Sequence, residues 1–243
     1  MTGAAVNIVP MTGVDLPFER IGHRGAPREF PENTLPSFQR AVERGANAVE
    51  LDVHATIDGV PVVHHDPIVS RALDPGHAGL PLAAMTWQDV QRIELAPGVF
   101  VPSLDQVLEL LAGRATIYVE IKGTAIEELV VDTIRRGRAH CAVHSFDHEC
   151  IARVARIAPE LRRGILFDEP PLDVQASMRS ADAVDVWPHW PLVNDALVRA
   201  VREVGGEIIT WTVNTPSAAR QLLALGVHGI CTDDVRLLSP VAA

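Results

Sequence analysis

The sequence predicts a single-domain (β/α)8 TIM barrel with a short insertion after its second strand. Extended apolar segments and helical segments alternate from residue 19 to residue 239, and eight such strands can be counted. No glycine-rich nucleotide motif or P-loop follows any of them, which disfavours the alternative of an open doubly wound sheet. Residues 66–102 interrupt the alternation with many glycines and prolines, and they form the predicted insertion.

Each element is justified by apolar spacing and by its end signals. Thr34 and Ser103 are predicted helix caps, and Gly45 ends the first helix. The predicted strands are Arg20–His23, Ala48–Ile57, Thr116–Ile121, Cys141–Ser145, Arg163–Phe167, Ala183–Val186, Glu207–Val213 and Gly229–Thr232. Between them the predicted helices are 35–44, 86–93, 104–113, 126–136, 148–158, 174–180, 195–204 and 217–225.

A hairpin is predicted to follow the second strand. Asp58-Gly59 suits a two-residue turn, because glycine tolerates the positive φ that such a turn requires. With that turn, the register places Asp52 opposite His65, and directly opposed residues share a face of the sheet. The hairpin therefore selects His65, rather than its neighbour His64, as the histidine beside the acidic face.

Three carboxylates are predicted to meet at the carboxyl end of the barrel. Glu50 and Asp52 share one face of the second strand, and Glu120 occupies the same place in the third strand. Carboxylates so close together repel one another unless a cation neutralises them. Oxygen ligands suit a hard divalent ion, and the sequence leaves Mg²⁺ and Ca²⁺ both open.

Two histidines and a lysine surround this acidic cluster. His23 ends the first strand, His65 follows the hairpin, and Lys122 shares the face of Glu120. A cation with Lys122 suits the stabilisation of phosphate oxygens, while one imidazole accepts a proton and the other donates one. This combination predicts attack on a phosphate ester.

Composition limits the partners. The net charge of −10 argues against nucleic acid and against an anionic membrane surface. Residues 1–18, the predicted N-terminal extension, lack a basic n-region and a long apolar run, so we expect neither a signal peptide nor a membrane anchor there. Three cysteines without metal-site spacing suit a reducing compartment, so we expect a soluble cytoplasmic protein. The oligomeric state stays open.

The motifs together resemble those of the glycerophosphodiester phosphodiesterase family, from about residue 21 to residue 233. They occur in the family order and read H-R-G, P-E-N-T, E-L-D-V, D-G, V-V-x-H-D, V-P-S-L, V-E-I-K, S-F-D, W-T-V-N and G-V-H-G-I-C-T-D. The combination is far more specific than any single block. Two positions depart from the family pattern, namely His228 in place of a common aspartate and Val235 in place of a common proline.

The resemblance implies a barrel enzyme that hydrolyses glycerophosphodiesters to glycerol 3-phosphate and an alcohol. It also implies roles for eight residues: an acid/base pair, His23 and His65; ligands of one divalent cation, Glu50, Asp52 and Glu120; phosphate contacts, Arg24 and Lys122; and an apolar wall for the glycerol carbons, Trp211. It leaves open the headgroup preference and whether a cyclic phosphate forms.

Other interpretations stand beside this one. The chain could be a related barrel phosphodiesterase for lysophospholipids or other diesters, or an inactive barrel that binds phosphoglycerol compounds. Lys122 could simply neutralise Glu120, and Trp211 could be ordinary packing. We also expect the segment 187–190 to follow the sixth strand as a loop, with two exposed tryptophans that grip an alcohol headgroup.

Overall fold

The structure is a computed structural model that describes residues 18–70, 72–73 and 79–238. The predicted N-terminal extension lies outside these residues apart from Phe18, and His77 of the predicted insertion lies outside them too. Within the described residues the strands, in chain order, are β1 Glu19–His23, β2 Ala48–Ala55, β3 Pro61–Val63, β4 Glu94–Ala96, β5 Val99–Phe100, β6 Thr116–Ile121, β7 Cys141–Ser145, β8 Arg162–Phe167, β9 Asp185–Pro188, β10 Glu207–Thr210 and β11 Gly229–Thr232. The α-helices are α1 Leu35–Glu43, α2 Trp87–Val90, α3 Leu104–Leu111, α4 Glu127–Arg136, α5 His148–Ile157, α6 Val174–Ala181, α7 Asp195–Glu203 and α8 Pro216–Leu225.

The predicted (β/α)8 barrel is confirmed. The parallel strands pair in the order β1, β2, β6, β7, β8, β9, β10 and β11, and β11 pairs back onto β1 to close the barrel. Helix α1 and helices α3–α8 connect successive strands, while β3 pairs antiparallel with the end of β2. The closure brings the carboxyl ends of all eight strands to one rim.

Two apolar layers follow from the alternation of side chains along each strand. Outward residues such as Val49, Leu51 and Val119 are buried in the layer between strands and helices. Inward residues such as Tyr118 and Trp187 fill a smaller core inside the barrel. The polar inward positions at the carboxyl ends are thus held on a rigid, packed wall.

An ion-pair cluster occupies the inside of the barrel at the amino ends of the strands. Arg162 lies 2.6 Å from both Asp185 and Glu207, and 3.5 Å from Glu19. The hydroxyl of Tyr118 donates to Glu19, and burial raises the pKa of Glu19. This cluster closes the end of the barrel opposite to the rim.

The same cluster explains a shift in the sixth barrel strand. The sequence predicts Ala183–Val186, whereas the strand is Asp185–Pro188. Apolar Val184 is 46% exposed, while charged Asp185 is 1% exposed because Arg162 pairs with it. An ion pair inside the barrel therefore reverses the burial that residue type alone predicts.

The insertion after β3 has a small core of its own. It contains a 3₁₀ turn, helix α2 and the β4–β5 hairpin. Thr86 caps α2 in a capping box with Asp89. Its buried apolar residues, together with Val62 of β3, are Val69, Leu82, Met85, Val90, Ile93 and Val101.

Two further features bear on the predicted environment. Among the described residues, no helix combines the length and the apolar character needed to cross a membrane. Cys141, Cys150 and Cys231 are free thiols, and burial raises the pKa of both Cys141 and Cys150 to about 12.

Candidate active site

A pocket of about 220 Å³ opens at the carboxyl ends of the barrel strands. Seven of the eight site residues that the sequence predicts line it, and Asp52 lies buried beside it. The lining residues are His23, Arg24, Glu50, His65, Glu120, Lys122, His144, Phe146, Leu166, Trp187, Trp211 and Cys231.

The turn after β1 aims the backbone at the acidic cluster. Arg24 adopts φ +53° and Gly25 φ +91°, so the chain reverses within two residues. A Cβ on Gly25 would lie 2.6 Å from the backbone carbon of Ser37, which explains the glycine. The tight turn directs the Arg24 N–H to Glu50 Oε2, at 3.1 Å.

Asp52 is enclosed by donors. Its Oδ2 accepts from Asn33 Nδ2 at 2.8 Å and lies 3.2 Å from Arg24 Nε, while its Oδ1 lies 3.5 Å from Lys122 Nζ. Burial alone would raise the pKa of Asp52, but the charges of Arg24 and Lys122 outweigh it and lower that pKa. Asp52 stays ionised and anchors both cations.

The P-E-N-T motif has a local function that sequence reasoning missed. Glu32 accepts from Arg24 at 2.9 Å, and Asn33, at φ +58°, makes two hydrogen bonds with Asp52. The sequence pattern predicts only a helix entry for these residues. Their presence within a family motif block was the available signal.

Glu120 lies in an acidic environment that Lys122 compensates only in part. Burial raises the pKa of Glu120, and the nearby charge of Asp52 raises it further. Lys122 lies 3.2 Å away and offsets only part of this effect. The predicted repulsion among the three carboxylates is therefore present in the folded chain.

His23 is held by a carboxylate and an amide. Its Nδ1–H donates to Asp233 Oδ1 at 2.7 Å, and Asp233 Oδ2 accepts from Asn214 at 2.6 Å. Burial lowers the pKa of His23, but the bond to Asp233 and the charge of Glu50 give a net increase. His23 lines the pocket, and its Nδ1 is occupied by Asp233. Asp233 and Asn214 belong to motif blocks to which we assigned no role.

His65 has a similar support. Its Nδ1–H donates to Asp66 at 2.7 Å, and its backbone carbonyl accepts from His54 Nε2 at 3.1 Å. His54 is buried, and burial lowers its pKa, which favours the neutral ring. The partly exposed His64 instead directs its ring to the carbonyl of Asp66.

The predicted hairpin register is wrong by one residue. Val53 pairs with Val63, and the His64 N–H donates to the carbonyl of Asp52, so Asp52 opposes His64 and not His65. Thr56 closes a three-residue loop, because its backbone and its hydroxyl both bond to Val60.

The insertion explains why the loop is longer. The Ile57 N–H donates to the carbonyl of Met85, and Asp58 accepts from the Trp87 N–H. Both residues are thus tied to the insertion and are unavailable for a two-residue turn. His65 still lines the pocket, because β3 ends at Val63 and the chain is no longer paired with β2 as a strand at His65.

His144 is a pocket residue that the sequence prediction missed altogether. It lies on β7 opposite Glu120, is 0% exposed, and has no hydrogen-bond partner for either ring nitrogen. Its Nε2 lies 3.9 Å from Glu50 Oε1. One ligand atom from each of Glu50, Glu120 and His144 falls within 4.8 Å of the other two.

The aromatic residues form one side of the pocket. Trp211 contacts Phe146 and His189, with ring centroids 5.6 and 5.3 Å apart. The expectation of two exposed tryptophans in a loop is wrong, because Trp187 lies on β9, is 1% exposed and fills the barrel interior. Gly164 leaves the space for its ring.

Comparison with known proteins gives a consistent result. A model of the "Glycerophosphoryl diester phosphodiesterase family" matches residues 23–237. The "Glycerophosphodiester phosphodiesterase" of Caldanaerobacter subterraneus is 29% identical over 233 residues, which cover 90% of this chain and 95% of that protein. The "Probable glycerophosphodiester phosphodiesterase 2" of Mycobacterium tuberculosis is 32% identical, with 91% and 89% covered. The crystal structure of glycerophosphodiester phosphodiesterase from Agrobacterium tumefaciens is 28% identical with a TM-score of 0.77, over 91% of this chain and 98% of that one.

Proposed function

Because the chain belongs to the glycerophosphoryl diester phosphodiesterase family, we propose that it hydrolyses glycerophosphodiesters to glycerol 3-phosphate and an alcohol, with a divalent cation. The observation that supports this most is the pairing of two imidazoles in one pocket. His23 and His65 each bond through Nδ1 to a carboxylate at 2.7 Å, on either side of the buried acids. Such pairing fixes each ring with its Nε2 toward the substrate.

In this reaction the bond between phosphorus and the alcohol oxygen breaks, and a bond between phosphorus and the attacking oxygen forms. One imidazole Nε2 takes the proton of the attacking hydroxyl, which belongs to water or to the glycerol group, and the other gives a proton to the departing alcohol. If the glycerol hydroxyl attacks, water then opens the cyclic phosphate, so either route consumes one water. His23 and His65 carry these two roles. Asp233 and Asp66 stabilise whichever ring is positively charged during the exchange.

The residues present fit a divalent cation. Asp52 Oδ1 and both nitrogens of His144 are buried without a hydrogen-bond partner, and the carboxylates of Glu50 and Glu120 lie beside them. We propose Glu50, Asp52 and Glu120 as its carboxylate ligands. A divalent cation bound there supplies positive charge to the non-bridging phosphate oxygens.

The remaining roles are proposals from position and chemistry. Arg24 and Lys122 are partly exposed cations in the pocket, so they would bind phosphate oxygens that the acids would otherwise repel. Trp211 is fixed by its indole N–H, which donates to the carbonyl of Trp187 at 2.8 Å, and it offers an apolar face to the glycerol carbons.

The test is a direct assay of product. The protein is incubated with glycerophosphocholine or glycerophosphoethanolamine, in the presence of Mg²⁺, Ca²⁺ or a chelator, and glycerol 3-phosphate is measured enzymatically. We expect release with a cation and little with the chelator. Release that the chelator leaves unchanged contradicts the cation role, and binding without release favours an inactive barrel.

A histidine variant separates catalysis from folding. His23→Ala should lower kcat by about 100-fold or more, because a positioned acid or base contributes about 10²–10⁴-fold. His140→Ala, at an exposed histidine outside the pocket, is the matched control and should keep wild-type rates. Equal rates for the two variants would remove His23 from the mechanism.

A further inference from the structure

His144 has an environment that ordinary packing does not explain. The imidazole is fully buried inside the barrel, yet neither ring nitrogen has a hydrogen-bond partner. Buried polar groups are normally paired, and an unpaired one calls for a ligand or another specific cause. The ring is nevertheless fixed, since it packs edge-on against Trp187 with centroids 4.3 Å apart.

The ring is placed beside the carboxylates of the pocket. Its Nε2 lies 3.9 Å from Glu50 Oε1, and β7 sets His144 directly beside Glu120 on β6. One atom from each of these three side chains falls within 4.8 Å of the others. Two ligand atoms of one ion lie about 2.8–4.2 Å apart when each bond measures about 2.0–2.4 Å and the angle between the bonds is about 90–120°. The 3.9 Å between His144 Nε2 and Glu50 Oε1 falls within that range.

We infer that His144 is a nitrogen ligand of the cation site, so that the site holds a borderline ion such as Zn²⁺ better than the hard ions Mg²⁺ and Ca²⁺. The inference rests on the cation role in the proposed function. It alters the expectation of an all-oxygen site for a hard ion, because Glu50 and Glu120 then act with an imidazole.

The chemistry of the donors gives the direction of the preference. Mg²⁺ and Ca²⁺ select carboxylate, carbonyl and water oxygens, whereas imidazole suits Zn²⁺ and other transition ions. Both ring nitrogens of His144 are unpaired, and a metal binds imidazole through a free ring nitrogen. Asp52 Oδ2 is already bonded to Asn33 and faces Arg24, so Asp52 would coordinate through Oδ1, which has no hydrogen-bond partner.

Direct detection of the metal–nitrogen bond provides one test. The metal-free protein is loaded with one equivalent of Mn²⁺, and pulsed electron paramagnetic resonance is used to look for coupling to ¹⁴N. We expect nitrogen coupling in the wild type and in His140→Gln, and none in His144→Gln, whose side chain offers an oxygen in place of the ring nitrogen. If that variant does not fold, His144→Asn replaces it, because His23 and His65 line the same pocket and the wild-type spectrum alone would not assign the coupling to His144.

Affinity measurements provide the second test. Isothermal titration calorimetry is run with Zn²⁺, Mn²⁺, Mg²⁺ and Ca²⁺ on the same three proteins. We expect His144→Gln to weaken Zn²⁺ binding by about tenfold or more and Ca²⁺ binding by less than about threefold, on the usual difference between imidazole and oxygen ligands.

The outcomes separate the two proposals. No ¹⁴N coupling in the wild type, or an equal loss of affinity for all four ions, overturns the role of His144 and leaves the cation role in hydrolysis intact. Failure of the wild type to bind any of the four ions defeats both.

Discussion

Replacing Asp233 with asparagine tests how the pocket fixes the proton position on His23. Asp233 Oδ1 accepts from His23 Nδ1, and Asp233 Oδ2 accepts from Asn214 Nδ2. An amide at this position has only one oxygen, so it can accept from either His23 or Asn214. In the other contact its NH₂ group faces a second hydrogen-bond donor, and that hydrogen bond is lost. If the amide nitrogen faces His23, the ring must carry its proton on Nε2, which is the wrong tautomer for a general base.

The magnitude follows from the contact that is lost. A hydrogen bond to a charged group contributes about 1.5–3 kcal/mol, and each 1.36 kcal/mol in the activation free energy changes a rate about tenfold. The Asp233 side chain is 29% exposed, so solvent screens part of this energy and the lower half of the range applies. We expect kcat to fall by about ten- to fiftyfold, with KM changed by less than about threefold.

The assay compares kcat and KM for glycerophosphocholine in wild type, Asp233→Asn and Asp234→Asn. Asp234 is the matched control, because the neighbouring carboxylate bonds to Arg236 and not to His23. Circular dichroism and thermal unfolding check that all three proteins fold. A kcat within about threefold of wild type for Asp233→Asn, or a loss confined to KM, would refute the positioning argument.

Three further predictions concern stability. Asn33→Ala should lower the free energy of unfolding by about 2–3 kcal/mol, because it removes the amide donor to the buried carboxylate of Asp52. A decrease of less than about 1 kcal/mol in urea unfolding would contradict this. Gly25→Ala should lower the free energy of unfolding by about 3 kcal/mol or more, and Gly45→Ala by about 1 kcal/mol. Both glycines have positive φ, but an added Cβ overlaps with backbone atoms only at Gly25. Equal urea midpoints for the two variants would contradict this overlap. Burial lowers the pKa of His228 in the folded protein. As the pH falls, the imidazole is therefore protonated in the unfolded chain before it is protonated in the folded one. The free energy of unfolding should decrease as the pH falls below about 6.5, the pKa of histidine in the unfolded chain. His228→Asn should flatten that decline between pH 7 and pH 5 in urea unfolding, and an unchanged slope would show that His228 does not cause it.

The repeating pattern of the sequence was enough to predict the barrel. All eight predicted strands exist, and those at residues 116–121, 141–145 and 229–232 have the predicted bounds. Apolar alternation predicts these strands because their outward residues pack against helices, as Val119 and Val143 do. The predicted bounds of the sixth barrel strand are wrong by two residues, because a charged residue, Asp185, occupies an interior position where an apolar one is expected. Its burial is compensated by Arg162, which is distant in sequence.

The hairpin register could not be read from the turn residues alone. Asp58-Gly59 favours a two-residue turn in isolation, but Ile57 and Asp58 bond to the insertion, which the local sequence does not reveal. The His228 departure is easier to interpret. Its neutral Nδ1 accepts from the Ile208 N–H at 3.0 Å, so it performs the acceptor function that a carboxylate would have at this position.

The missed pocket residue required information on how neighbouring strands are aligned. Alternation places many residues inside the barrel, but only the alignment of strands decides which of them share a layer. Asp52 is directly beside Glu120, and Glu120 is directly beside His144, so one row across β2, β6 and β7 contains two acids and an imidazole. Strand alternation and the family blocks both include the two acids, whereas His144 lies one residue before the S-F-D block. The pairing of Glu120 with His144 places the imidazole in the layer of the acids, and the order of residues along the chain does not give that pairing.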